Sequence, residues 1–555
     1  MTARNQFFIY RVFSFFLLLA SLNCHQSLAQ ADAHAQHTMS VDSIPLELLT
    51  KPLPLREGVG KIDDAVTTAS KEAQSYYNQG IAYLHSYVWI EAARSFNQAL
   101  RLDANFAMAY AGLCRAYIGL NLLQPAKEAL EKAVARAGQI TPRERRRLNI
   151  HQAQLMALAD ITNAEKQQKY KQAIDEALAV DKNDVELVLL RGNAEEGNPA
   201  AGRGQRGLEG ALMYYQRTLE LAPNHIAAHH YLTHTYENLG RIQEALKHGE
   251  MCARLAPAVP HEIHMYGHNL RRVGRIREAI AQFEKADALQ RAYFKTENIP
   301  EEYDWHHQHN LDLLATSYQH QGQMKRAEEL MRQAFQLPSL VEAEAYNRKE
   351  YPLFLIARNR ADEAIEAAKV MLRSKWEIVR AVGHIAAAQA YMNLNKLPEA
   401  SVAAKAALAQ LQAAGAKANF VSNDLAILQG EFFLRTGQTE KGRAVIKQAI
   451  TKLRAERGPD NWTQSLFSLE AIAKTARAVN DWELAEYVAA QMLEHDANYA
   501  GTHLALALIA EHQGDNVQAL EAYKIAEKLW TDADANLVEL SQTKTKIAAL
   551  NNKLQ

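Results

Sequence analysis

From about residue 70 onward, apolar residues recur at three- and four-residue spacing almost without a break, the mark of amphipathic helices rather than strands. Small and aromatic residues share the apolar stripe in a fixed order. Gly80, Tyr83, Ala92, Phe96 and Ala99 form one set; Tyr110, Leu113, Cys114, Tyr117, Ala126 and Ala133 form the next. Alanine and glycine let two helices approach closely, and aromatic rings fill the wider gaps. The pattern predicts paired helices with essentially no strand.

The pairs repeat. Leu239-Gly240-Arg241-Ile242-Gln243-Glu244-Ala245 returns 34 residues later as Val273-Gly274-Arg275-Ile276-Arg277-Glu278-Ala279. The same step carries His230 to His264 and His234 to His268. Other units show at Tyr236 with Pro257, at Tyr318, Gly322, Ala327 and Ala334, and at Tyr391 with Ala400. Phe433 with Gly437, Trp482 with Ala485, and Gly514 with Ala519 and Tyr523 complete the series. This period and pattern resemble the tetratricopeptide repeat (TPR), a helix–turn–helix unit. The resemblance implies an all-α, TPR-type helix-turn-helix solenoid, a superhelix whose units stack because one alone cannot bury its apolar side. The first helix of each unit is then expected to line a concave face.

Two segments depart from the period. Thr141-Pro142-Arg143-Glu144 reads as an N-cap, a first-turn proline and a capping-box acid, so 141–180 should hold longer helices. Residues 197–207, rich in glycine, read as an inserted loop without a phosphate-binding pattern.

The N-terminus changes the picture. Arg4 and Arg11 flank the start of a short apolar run, Val12 to Leu22; small residues follow at Ser27-Leu28-Ala29, and Ala33-His34-Ala35 is a second candidate cleavage site. This is the layout of a secretion signal, short for a comfortable bilayer span; the alternative is an N-terminal membrane anchor left uncleaved. Asn23 and Ser21 make Cys24 a poor lipidation site. The expected organisation is a signal at 1–29, a linker at 30–70, an N-terminal array at 71–338 and a C-terminal array at 339–555. The last array closes on a polar capping helix from about 535. The mature protein is expected in the periplasm or outside the cell, with no membrane span. Lysine plus arginine (62) nearly equals aspartate plus glutamate (63), which gives no field to attract nucleic acid. Cys114 and Cys252 fall at small packing positions, and no C-x-x-C occurs.

Histidine is unevenly placed: twelve of 21 lie between His225 and His320, so one region carries the candidate chemistry. His230 and His234 precede Gly240 by ten and six residues; His264 and His268 precede Gly274 by the same steps. His261 precedes Gly274 by thirteen, His309 precedes Gly322 by thirteen, and Asp312 by ten. These positions share one helical face, opposite Ile263, Tyr266, Gly267 and Leu270. His306, His307 and His320 read as surface or loop residues, and Arg271 with Arg272 as a solvated face or an anion pocket. The run Asn224-His225 through His234, the helix His261 to His268 and the element Trp305 to Asn310 resemble a group of secreted bacterial TPR proteins with histidine-rich helices. Thr141-Pro142-Arg143-Glu144 belongs to the same resemblance, which covers roughly 70–335. That group usually has Pro-Ser where Tyr266-Gly267 stand here. It has no established activity, so the resemblance implies geometry and no reaction.

Imidazole nitrogens suit zinc, copper, nickel or iron. His230, His234, His261, His264, His268, His309 and Asp312 are therefore the candidate metal ligands, and a divalent transition metal such as zinc the candidate cofactor. The alternative is a polar groove whose histidines meet a peptide or water. No H-E-x-x-H, G-x-S-x-G or dinucleotide fingerprint occurs, and His261-Glu262-x-His264 is misspaced for a zincin helix. The expectation is a non-enzymatic scaffold holding a protein or peptide partner on its concave face. The alternative is a metal- or small-ligand-binding solenoid, or a metalloenzyme, built on the stripe of residues 230–312.

Overall fold

The computed structural model describes residues 44–205, 209–340, 342–456 and 459–554. The secretion-signal reading of 1–29 lies outside them. Every element among the described residues is helical, and no strand occurs among them. Helices pair as Lys71–His85 with Trp89–Leu102, Ala107–Gly119 with Leu123–Val134, and Ile226–Asn238 with Ile242–Leu255. Pro260–Arg272 pairs with Ile276–Glu297, and Trp305–His320 with Met324–Gln336. These belong to a larger compact unit made of 44–344, 456–470 and 489–554. A smaller unit, 345–455 with 471–488, holds the pairs Glu377–Asn393 with Leu397–Ala414 and Ser422–Arg435 with Thr439–Ala455. The protein is an all-α helix-turn-helix array of the TPR type, as the period predicts.

One turn recurs through both units. Its residue has positive φ, and the next N–H closes a bond back to the carbonyl five residues upstream, a Schellman-type ending. Examples are Arg241 N–H to Tyr236 O (2.8 Å) and Lys396 N–H to Tyr391 O (2.8 Å). Gly240, Gly274, Gly322, Gly437 and Gly514 hold this position at φ 76–81°. Asn121, Asn359, Asn395 and Asn480 hold it elsewhere, at φ 58–60°, because asparagine tolerates the left-handed region. Tyr87, at φ 58°, is the exception.

Helix contacts follow the small–aromatic logic. A Cβ built on Gly80 or Gly112 would lie 2.6 or 2.4 Å from Phe96, so both neighbours of that ring must be glycine-thin. Cys114 and Cys252 are fully buried free thiols, and burial pushes Cys114 up to about 12. Thr141 and Glu144 form the expected capping box, with Pro142 in the first turn. The helices that follow, Pro142–Leu158 and Ala164–Val180, each run 17 residues. Val538–Leu554 closes the chain. No described helix is long and apolar enough to cross a membrane.

The segment 44–70, expected as linker, packs on the array. Leu49, Leu53, Val59 and Ile62 are buried. Asp64 accepts from Arg143 (2.7 Å) and Arg147 (2.7 Å), an ion-paired anchor that its low hydropathy conceals.

Candidate metal centres

Three consecutive first helices, Ile226–Asn238, Pro260–Arg272 and Trp305–His320, carry the histidine stripe. The structure sorts the predicted ligands into two triads, His230–His234–His261 and His264–His268–His309. Within each, the ligand nitrogens all lie within 4.8 Å of one another. Each triad takes an i,i+4 pair from one helix and the residue thirteen before the turn from the next. The middle helix serves both.

In the first triad, Nε2 of His230 lies 3.1 Å from Nε2 of His234 and 3.1 Å from Nε2 of His261. Two nitrogens bound to one tetrahedral zinc at about 2.0–2.1 Å sit roughly 3.3 Å apart. In the second, Nε2 of His268 lies 2.7 Å from Nε2 of His264, and the ring centroids of His264 and His309 are 4.8 Å apart. Asp312 stays out of both triads. It holds the place in the third repeat that His264 holds in the second, and position six before the turn is Thr316 rather than histidine.

The far sides of the rings set which nitrogen is free. His230 Nδ1–H donates to the His85 carbonyl (2.7 Å). His264 Nδ1–H donates to Asn310 Oδ1 (2.8 Å), whose own amide donates to Phe283 O (2.9 Å) and so fixes its orientation. Both histidines are thereby the tautomer whose Nε2 lone pair faces the triad centre. Glu262, buried completely, brings Oε1 to 3.4 Å from His230 Nδ1. Glu237 brings Oε2 to 3.8 Å from His268 Nδ1 while pairing with Arg272. Burial, then neighbouring imidazoles, holds His261, His264 and His268 well below the usual histidine range. Burial also lowers His230, against the opposing pull of Glu262. Neutral imidazole is the form that binds a metal.

Several expectations are corrected. The stripe is interior, not an open groove: five of the six triad histidines are buried, and His234 is half-buried. His306, His307 and His320 are also buried on the Trp305–His320 helix, not on the surface. His307 pairs with Asp287 (3.0 Å) and His320 with Asp496 (2.9 Å). Arg271 is no solvated residue; it is buried and donates to Thr316 Oγ1 (2.9 Å). Two groups escaped the sequence reading. Tyr87 sits over the first triad, its ring centroid 4.5 Å from His230 and 5.5 Å from His261. The signal available was a large residue at the αL turn position, the kind of strain found at functional sites. His85 and Glu186 (3.1 Å) form a further buried pair, which no spacing rule links because they lie on distant repeats.

No protein-family model matches the chain, and no curated protein matches it. Among solved structures it is similar to a chain of the APC/C hetero-tetramer Cut9–Hcn1, at 13% identity over 87% of this chain and 96% of that one, TM-score 0.31. Yeast Tom70 is similar at 14% identity over 87% and 96%, TM-score 0.32. The human IFIT1 dimer with m7Gppp-AAAA is similar at 14% identity over 84% and 92%, TM-score 0.33. Likeness at this level adds no weight; the repeat assignment rests on the helix pairs, their shared turn and the 34-residue step.

Proposed function

We propose that this protein is a metal-binding helical repeat whose two three-histidine centres each take one divalent transition ion of the zinc or copper type. The observation that supports it is the twin convergence of imidazole nitrogens, with Nδ1 of His230 and His264 committed to oxygen acceptors. Three-ligand sites leave a fourth position for water or another molecule. The test is elemental analysis and cobalt titration of untagged protein. Two equivalents per chain are expected, matching the two triads, and His264→Gln should leave one. Protein that takes up no zinc, cobalt or copper after dialysis against each refutes the proposal.

A second proposal keeps the scaffold role, with a protein or peptide partner on the array. It is favoured by an apolar cavity of about 420 Å³ in the smaller unit, walled by Ile365, Leu372, Tyr391 and Val402. A photo-crosslinker at Val402, which is 68% exposed, should form a discrete adduct in native extract; none forming refutes it. Both proposals place the protein in the periplasm or outside the cell. N-terminal sequencing should then begin near Gln30, Ala31 or Gln36, and intact Met1 on cytoplasmic protein overturns the export.

A further inference from the structure

The chain from 51 to 70 forms no helix and no strand, yet it is held along its length as a strap. Side chains grip its main chain. Asn97 donates to Leu49 O (2.9 Å), Arg94 to Lys51 O (3.2 Å) and Pro52 O (2.7 Å), and Gln79 to Pro54 O (3.2 Å). Gln79 Oε1 accepts from Arg56 N–H (2.7 Å), and the Arg56 guanidinium pairs with Glu297. Further on, the strap crosses the starts of the two helices that supply the first triad. Gly58 O accepts from Ala258 N–H (2.9 Å), just before the helix Pro260–Arg272 that carries His261. A Cβ on Gly58 would stand 3.2 Å from Ala258 Cβ. A Cβ on Gly60 would stand 3.0 Å from Ile226 Cγ2, and Ile226 opens the helix Ile226–Asn238 one turn before His230. Both glycines have positive φ, 74° and 93°, so the close approach needs residues without a side chain. The strap thus pins Ile226 and Ala258 together, at the junction across which His230 Nε2 meets His261 Nε2 (3.1 Å). The junction of the second triad has ties of its own, Asn310 to His264 (2.8 Å) and Arg271 to Thr316 (2.9 Å). Pro54, Arg56 and Val59 also wall a cavity of about 330 Å³ that His261 lines, so lifting the strap bares that ligand.

We propose that the strap, residues 49–60, and the metal of the first centre hold each other in place. The proposal rests on the two-centre reading above. The strap is fastened by side chains and close contacts rather than by a ladder of its own, so it lifts without unfolding a helix. Lifting frees the two helix starts to shift, and ligand distances tolerate only about 0.2 Å of error. The lifted form therefore binds metal at the first centre more weakly. By linkage, an ion at that centre must favour the docked strap by the same factor. The second centre lies across a junction that Gly58 and Gly60 do not span, so its metal should not affect the strap.

Two probes on full-length protein report the lifted strap. Trypsin cuts after Arg56 only when its main chain leaves Gln79. Hydrogen exchange at Ala258 N–H speeds up when its acceptor, Gly58 O, departs. His264→Gln keeps only the first centre and His234→Gln only the second. In His264→Gln protein, zinc should slow cutting and exchange by about tenfold. In His234→Gln protein, zinc should change neither. Gln79 bonds to the strap and to Ser95, so Gln79→Ala loosens the strap without removing a bond to either ligand helix. Added to His264→Gln, it should speed cutting and lower zinc affinity, measured against a chelator, by up to about tenfold. Gly60→Val, pressed against Ile226, should do the same by a second route. Zinc bound at the first centre with cutting and exchange unchanged, or equal protection in both single-centre proteins, overturns the linkage while the metal reading stands. Faster cutting in the Gln79→Ala protein with zinc affinity intact overturns it as well. Protein that takes up no zinc defeats the metal reading and the linkage together.

Discussion

Gly267 ties the repeat packing to the metal centres, and replacing it with alanine should disturb both. It lies on the Pro260–Arg272 helix between His264 and His268. A Cβ there would stand 2.7, 2.9 and 3.0 Å from three carbons of the Phe283 ring. Carbon atoms settle at about 3.5–4.0 Å, so the helices must part by roughly 0.8 Å or the ring must turn. Phe283 is fully buried and packs against His264 (5.3 Å between centroids) and His268 (6.2 Å), so turning drives it into the second triad. Overpacking of this kind costs up to about 3 kcal/mol. Alanine recovers about 1 kcal/mol of helix propensity. The net expectation is a loss of about 2 kcal/mol in urea unfolding of the metal-free protein. Metal ligation tolerates only about 0.2 Å of error in ligand distance, so the second cobalt equivalent should weaken more than the first. Gly138→Ala, where a Cβ meets nothing within 4 Å, is the control and should be neutral. A Gly267→Ala protein as stable as wild type with both equivalents intact would refute the close-contact reasoning.

Acid should expose a buried neutral histidine. Burial, then Arg115 and Arg147, hold His151 down to about 3, with Glu186 and Gln154 opposing. The unfolded chain takes the proton near pH 6.5 and the folded one does not, so this stability is complete above pH 6.5 and lost as pH falls toward 3. Between pH 7.5 and 5 wild type should lose about 2 kcal/mol more than His151→Gln in urea unfolding; parallel losses would count against it. At Tyr87, asparagine removes about 1–2 kcal/mol of left-handed strain but forfeits a buried ring worth about 3–5 kcal/mol. Tyr87→Asn should therefore lower stability by roughly 1–4 kcal/mol, and a more stable variant would show the ring to be idle.

The fold was legible because the TPR pattern is written in local features: a step of 34 residues, thin residues facing aromatics and a glycine at the turn. Half of these turns were hidden from a search for glycine, since Asn121, Asn359, Asn395, Asn480 and Tyr87 adopt the same left-handed conformation. The stripe of ligands was legible because helical periodicity places residues on faces. What periodicity does not give is which faces close on one another. His261 stands one turn from His264 on the same helix, yet the two serve different triads, because each turns toward a different neighbouring helix. Burial of the stripe was likewise unreadable, since Tyr87 reaches it from a distant repeat and Trp305 folds from the third helix over His261 on the second.

The two centres are copies in their ligands but not in their surroundings, and the difference predicts an order of affinity. The residue twelve before the turn supports the histidine ten before the preceding turn. In the second centre it is Asn310, a neutral amide on His264 Nδ1 at 2.8 Å. In the first it is Glu262, whose Oε1 lies 3.4 Å from His230 Nδ1 and whose only hydrogen-bond donor is the weak thiol of Cys252. A buried carboxyl group with only a weak thiol donor is costly in a metal-free protein, whereas beside a divalent cation it can supply compensating charge. The first centre should therefore bind zinc more tightly than the second. Glu262→Gln makes the first centre resemble the second and should lower its zinc affinity by about 10–100-fold. The same change should leave the metal-free protein as stable as before or more so, because a poorly paired buried carboxyl group is replaced by a neutral amide. A purely structural glutamate would show the opposite pair of signs: metal-free stability lost and zinc affinity kept. Chelator competition and urea unfolding on one preparation read both, and that opposite outcome would end the case for Glu262 as the outer partner of a metal ligand.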